Sequence, residues 1–223
     1  LVRGFSLFQT IPRYITENLL FSYTYGFDFV LQLKQRGGWE LVNQAYHDFP
    51  VSTEQILHPE KYLDERDLPT TIHLPPLPEK FSAWRELEHN TLGEFNIAIL
   101  IDGYLPPEQA RLASAGWGGD RFALYENRET GQLLSVWYTT WDTKQDAQEF
   151  FQSYMAVLEK RYKDASVSNE NLAKVLNLRK VSWKTNSGDI YMEMRGTDVL
   201  ILDGVPDHLR NELIPLFRNS QKE

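Results

Sequence analysis

Apolar and polar positions change period midway along the chain. From Phe21 to Leu33, the residues Phe21, Tyr25, Phe29, Val30 and Leu33 recur at three- and four-residue intervals and mark one apolar face of a helix. Gly37 and Gly38 end it. Trp39, Val42 and Tyr46, widened by Leu41, then give a second, shorter helix, so the spacing predicts an α-hairpin. After Pro50, Ser52 and Gln55 stand at capping-box spacing ahead of a short helix carrying Ile56 and Leu57, which Pro59 cuts off. Residues 62–88 hold Pro69, Pro75, Pro76 and Pro78 and read as an extended connector, pinned to the body by Leu74, Leu77, Phe81 and Trp84. Thr91 and Glu94 repeat the capping-box spacing before the apolar run from Phe95 to Ile101. Pro106 and Pro107 introduce a helix carrying Ala110, Leu112 and Ala113, which Gly116, Gly118 and Gly119 end.

Beyond this point the period is two. Residues 121–125 and 133–140 read as strands joined by a turn at 127–131, an antiparallel hairpin. Asp142, with Gln145 at the reciprocal capping position, opens a helix on which Ala147, Phe150, Phe151, Tyr154, Val157, Leu158 and Tyr162 trace a wide apolar stripe. Residues 163–177 are polar and read as a loop containing a short helix. Three strands follow, at 180–184, 189–194 and 199–202. A terminal helix from near Pro206 packs through Leu209, Leu213, Ile214 and Phe217. The predicted class is α+β: a largely helical region over 1–116, then an antiparallel sheet over 117–223 with helices covering one face, as two regions or as one integrated domain.

Composition narrows the chemistry. The 23 basic and 31 acidic residues give a formal charge of -8, which opposes a long cationic groove and excludes nucleic acid as the expected partner. With no cysteine there is no disulfide, thiolate metal site or cysteine nucleophile. No apolar run reaches the length of a membrane span, because Asp28, Lys34 and Arg36 interrupt the early aromatic stretch. The chain starts at Leu1, and an upstream sequence is expected to precede it.

The candidate chemistry is sparse. No His-Glu-x-x-His motif is present, and Glu54 with His58, four apart on the proposed short helix, are two weak metal-ligand candidates lacking a third. In Trp117-Gly118-Gly119-Asp120-Arg121, adjacent glycines can present backbone N–H groups, Arg121 a fork of donors and Asp120 an acceptor. The bland reading is a helix-to-strand turn with an Asp120–Arg121 ion pair and a packed Trp117. Tyr138, Trp141 and Asp142 lie at the following strand end, where aromatics divide between core and outer face. Together these eight residues form the candidate interaction surface.

Several segments resemble a known family. Tyr23-Thr24-Tyr25-Gly26, Gly37-Gly38-Trp39, the run Ser52-Thr53-Glu54-Gln55-Ile56-Leu57-His58-Pro59-Glu60-Lys61-Tyr62, Thr91-Leu92-Gly93-Glu94, Gly116 to Arg121 and Thr139-Thr140-Trp141-Asp142-Thr143 carry the likeness. They resemble the carboxy-terminal part of a poorly characterised bacterial family of secreted or lipid-anchored, zinc-metallopeptidase-like proteins, over most of residues 20–150. Members carry the His-Glu-x-x-His helix before the region represented here, and no residue of this sequence matches it, so no zinc ligand or catalytic glutamate is transferred. The resemblance implies an extracytoplasmic setting and no cofactor in this chain, with zinc confined to a longer parent protein. It implies a non-catalytic accessory or protein-interaction region, whose partners are the upstream region of the parent, an envelope protein or a peptide. Two alternatives stand beside it: the carboxy-terminal portion of a zinc-dependent peptidase with its catalytic residues upstream, and an independent ligand-binding module.

Overall fold

In the computed structural model, which describes residues 11–162, 166–167 and 179–223, the early helical period folds as α1 (Arg13–Ala45), followed by the short helices α2 (Thr53–Leu57) and α3 (Glu60–Leu63). Helix α1 is broken where the glycines fall: Gly37 and Gly38 leave helical geometry, and Gly38 sits at φ 67°, a conformation that glycine alone adopts without strain. Its inner face is the expected one. The rings of Phe21 and Tyr25 lie 4.4 and 5.4 Å from that of Phe95, and Phe29 meets Tyr62 edge-on at 5.3 Å. Val30 departs from this face and is exposed, because one residue beyond Phe29 the helix has turned by about 100°.

The connector is more regular than its prolines suggest. It contains β1 (Ile72–His73), a 3-10 turn at Glu79–Phe81 and β2 (Trp84–Asn90). Almost every residue of β2 is exposed, so no apolar alternation marks it in the sequence. It forms because the next strand offers a free edge for backbone pairing. Helices α4 (Gly93–Asp102) and α5 (Pro107–Ser114) lead into the strands β3 (Trp117–Asn127) and β4 (Leu133–Trp141) and then the long helix α6 (Lys144–Arg161). After β5 (Ser166–Val167) come β6 (Lys180–Thr185), β7 (Gly188–Arg195), β8 (Asp198–Val205), α7 (Arg210–Arg218) and β9 (Gln221–Lys222). The polar stretch expected at 163–177 lies outside the described residues apart from β5.

Seven strands form one antiparallel sheet in the order β2-β3-β4-β8-β7-β6-β5, while β1 pairs with β9. The expected hairpin is present, with Arg121 opposite Tyr138, and so is the three-strand meander. Pairing of β4 with β8, Trp137 opposite Ile201, joins them. Alternation along β4 sends Trp137 to one face, packed with Phe150, Ile97 and Ile101, and Tyr138 to the other, packed with Leu200, Leu213 and Phe217. Helices α4 to α6 thus cover one face, and α7 with the connector covers the other. This corrects the expectation of a sheet covered on one side only: the terminal helix presents Leu213, Ile214 and Phe217 to a second apolar face. Residues from the helical region and the sheet share a single core on the first face.

Candidate functional site

The helical region meets the sheet at a cluster of buried and half-buried polar groups. Asp120, on β3, is buried and accepts four hydrogen bonds: from the backbone N–H groups of Leu92 and Gly93 at 3.0 and 2.9 Å, and from the indole N–H groups of Trp117 and Trp137 at 2.9 and 3.0 Å. The first two donors belong to the start of α4, so Asp120 caps that helix from the sheet. Thr91, expected as the cap, instead donates its hydroxyl to the Asp120 carbonyl at 3.0 Å, and α4 has no cap from its own flank. Burial pushes the Asp120 carboxyl above its ordinary range, with the four donors pulling it back. No ion pair joins it to Arg121, because successive strand residues point to opposite faces.

Beside this hub, Lys61 of α3 reaches three carboxylates. Its Nζ donates to Glu54 Oε1 at 2.7 Å, Asp67 Oδ2 at 2.8 Å and Asp142 Oδ2 at 2.6 Å. One oxygen from each of those three acids lies within 4.8 Å of the others. The expectation that any metal-holding capacity belongs only to a longer parent protein is therefore corrected: a carboxylate set of the kind that holds a cation lies within this chain. Its donors are all oxygens, the preference of hard cations rather than zinc. In the structure, the Lys61 ammonium stands among them and supplies the positive charge. Sequence alone could not assemble the set, since its members lie at 54, 67 and 142 and only folding makes them neighbours.

Burial works against the Lys61 charge, but the hydrogen bonds to Asp142, Asp67 and Glu54 outweigh it and raise the pKa of the amine. Glu54 is the more deeply buried partner. Its pKa is pushed up to about 7 by burial, against the pull of Lys61. The other member of the weak metal pair, His58, turns elsewhere: its Nε2 lies 2.8 Å from Glu94 Oε1, a bond that raises the imidazole pKa against burial. Glu54 in α2 and His58 at its C-terminal cap thus share no ligand position. Glu94 is itself buried, and its Oε2 has no hydrogen-bond partner among the described residues. Gln55 completes the joint, accepting from the Val51 N–H at 2.9 Å and donating to the Asp67 carbonyl, so only the Ser52 half of the expected capping box forms.

A family model for a domain of unknown function, DUF8575, matches residues 79–212. The chain belongs to the DUF8575 family. No curated protein and no solved structure matches it. The DUF8575 match takes in Glu94, Asp120 and Asp142 but stops short of Glu54, His58, Lys61 and Asp67. The polar cluster is consequently built between the DUF8575 domain and the chain that precedes it.

Within this DUF8575 fold the predicted interaction residues are brought together, but not as a surface. Trp117, Asp120, Tyr138 and Trp141 are buried. Trp117 and Asp120 are hydrogen-bonded to each other, and Trp141 stacks on Phe150 with ring centroids 4.6 Å apart. Gly119 is required for a close approach: a Cβ there would meet the Thr70 carbonyl oxygen at 2.5 Å, where the connector crosses and the Thr70 N–H bonds to the Gly118 carbonyl at 2.7 Å. The glycine pair therefore admits the connector rather than an anion. Asp142 is exposed and serves Lys61, leaving the N-cap of α6 to Thr143 with Asp146 in a capping box. Arg121 lines a groove with the connector residues Ile72 to Pro76.

Sequence reading missed Lys61, Asp67 and Glu94 as members of the cluster. An acid at the start of an otherwise apolar helix, as in Glu94-Phe95, was the available signal. The helix α1 contributes a further feature. Leu19, Leu20, Tyr23, Phe27, Val30 and Leu31 follow one another at helical spacing on the side away from Phe95 and Tyr62, and all are exposed, Tyr23 at 78% and Phe27 at 62%.

Proposed function

We propose that this chain is a non-catalytic accessory region of a larger extracytoplasmic bacterial protein, and that the outer face of α1 is the surface through which it packs onto the rest of that protein. The observation that carries this is the two-sided helix. An inner apolar face anchors α1 to α3 and α4, and a second, outer apolar stripe runs from Leu19 to Leu31 without a partner among the described residues. A helix that is apolar on both sides belongs between two packed layers, and an exposed contiguous apolar stripe marks a contact surface. Among the described residues, no helix is long and apolar enough to cross a membrane. The extracytoplasmic assignment is supported by the resemblance to secreted and lipid-anchored metallopeptidase-like proteins. The accessory role is supported by the internal use of the polar groups: the carboxylates of Glu54, Asp120 and Asp142 are taken up by Lys61, indoles and backbone N–H groups.

The test is hydrogen–deuterium exchange on the full gene product, comparing wild type with the Tyr23→Asp, Phe27→Asp double variant. Wild type is expected to protect residues 19–31 beyond the protection seen in the isolated 223-residue chain, and the variant to lose that excess while β3 and β4 stay protected. Equal exchange of this helix in the long and short proteins would remove the proposed contact.

A further inference from the structure

A second surface, independent of α1, carries a charge pattern at odds with the rest of the molecule. A cleft of about 740 Å³ opens on the sheet face that α7 covers, bounded by the β7–β8 turn, the start of β6 and the C-terminal end of α7. Its volume is in the range of ligand pockets. Tyr138 and Leu200 contribute apolar surface, and apart from Met194 and Gly196 the remaining lining is charged.

Two acids reach the cleft, and each already has its cation. Glu193 Oε2 accepts from Arg218 Nε at 2.8 Å. Asp198 accepts from Lys222 Nζ at 2.7 Å and from the Tyr138 hydroxyl at 3.0 Å. Three further cations remain. Arg179 and Arg195 are exposed and have no salt-bridge partner among the described residues. The Lys180 ammonium lies 5.3 Å from the centre of the Tyr191 ring, a contact that orients the charge without neutralising it. A surplus of three positive charges at one cleft, in a chain of formal charge -8, concentrates an attractive field for anions there. Arginine adds geometry to that field, because its planar fork matches a carboxylate bidentately.

We propose that this cleft binds a ligand carrying two or more carboxylates, with Arg179 and Arg195 as the recognition groups, Lys180 as a supporting charge, and the apolar surface of Tyr138 and Leu200 against the ligand's carbon skeleton. Arg218 and Lys222 are positioning residues here, holding Glu193 and Asp198 so that those acids do not quench the arginines. The same chemistry is offered by a small polycarboxylate and by an acidic peptide, and the experiment separates the two.

Isothermal titration and backbone-amide NMR shifts would be measured on the 223-residue chain with citrate, with a tetraglutamate peptide and with inorganic phosphate, at low and at 0.5 M salt. The expected result is a dissociation constant below about 1 mM for one of the two carboxylate probes, with shifts centred on Lys180, Arg195 and Gly196. Which probe binds more tightly identifies the source. The double variant Arg179→Gln, Arg195→Gln should retain the wild-type melting temperature, both residues being exposed and without an ion pair among the described residues, and should weaken binding by at least about tenfold. Absence of binding by both carboxylates, unchanged affinity in the folded variant, or phosphate binding as tightly as either carboxylate would each overturn the proposal. The last outcome would reduce the cleft to general charge attraction.

Discussion

Lys61 and Asp142 are joined by a 2.6 Å hydrogen bond between residues on opposite sides of the helical region's junction with the sheet, and the same ammonium holds Glu54 and Asp67. A single cation therefore bridges three acids contributed by α2, the connector and the β4–α6 corner. Lys61→Met would leave them facing one another with nothing between. We expect a destabilisation of about 1 to 3 kcal/mol at pH 8, below the range for a fully buried pair because Lys61, Asp67 and Asp142 are partly exposed and only Glu54 is buried. Millimolar Ca²⁺ should restore part of the loss in this variant and have little effect on wild type. Denaturant melts with and without the ion measure both effects.

The pH dependence of stability has a definite sign at this junction. Glu54 has its pKa raised from 4.5 in the unfolded reference to about 7 in the fold, so the folded state binds the extra proton between those values. Its contribution to stability is present below pH 4.5 and declines as pH rises towards 7. His58, raised above 6.5 chiefly by Glu94, acts in the same direction, its contribution present below 6.5 and lost as pH rises through the folded value. Glu54→Gln is expected to flatten the stability profile between pH 5 and 7 relative to wild type. A variant whose profile parallels wild type across that window would show that Glu54 does not titrate there.

Asp120 satisfies four donors at once, two of them indoles in the core. Asp120→Ala leaves all four without their acceptor, and each buried orphan costs about 1 to 3 kcal/mol. The expected loss exceeds about 4 kcal/mol, with red-shifted tryptophan fluorescence as Trp117 and Trp137 gain access to water. Asp120→Asn keeps one acceptor oxygen and should lose distinctly less. Equal losses for the two variants would mean that cavity formation, rather than donor satisfaction, sets the cost.

Phe150 is fully buried, stacked on Trp141 and edge-on to Trp137 with centroids 5.4 Å apart. Phe150→Ala should cost about 3 to 5 kcal/mol and lower the midpoint of urea unfolding without changing its slope. Arg121→Ala, on the neighbouring strand but only half-buried and without an ion pair among the described residues, should change stability by less than about 0.5 kcal/mol.

Much of the fold was legible because periodicity reports local burial. The stripe from Ala147 to Leu158 and the alternation of the β3–β4 hairpin each follow from which residues must leave water, and both stand in the structure as the pattern indicates. The break at Gly37–Gly38 was equally local, a matter of backbone freedom. What failed were features whose cause lies elsewhere in the chain. β2 has no apolar alternation and exists because β3 presents an unpaired edge. The cap of α4 comes from Asp120 rather than from Thr91. Val30, expected on the inner apolar face of α1, lies on the outer one, because Phe95 and Tyr62 meet the helix along Phe21, Tyr25 and Phe29.

By itself, the sequence determined the α+β class, the places where helix gives way to strand, and the absence of thiol chemistry, since each depends on residue type and near-neighbour spacing. Tertiary structure alone decided that Trp117 and Trp141 are core rather than surface, that both faces of the sheet are covered, and that Glu54, Asp67 and Asp142 converge on Lys61. The reason is the range of the forces. Helix and strand periods are set over a few residues, whereas the pairing of charges and the choice of a buried face depend on which distant segments folding brings within a hydrogen bond of one another.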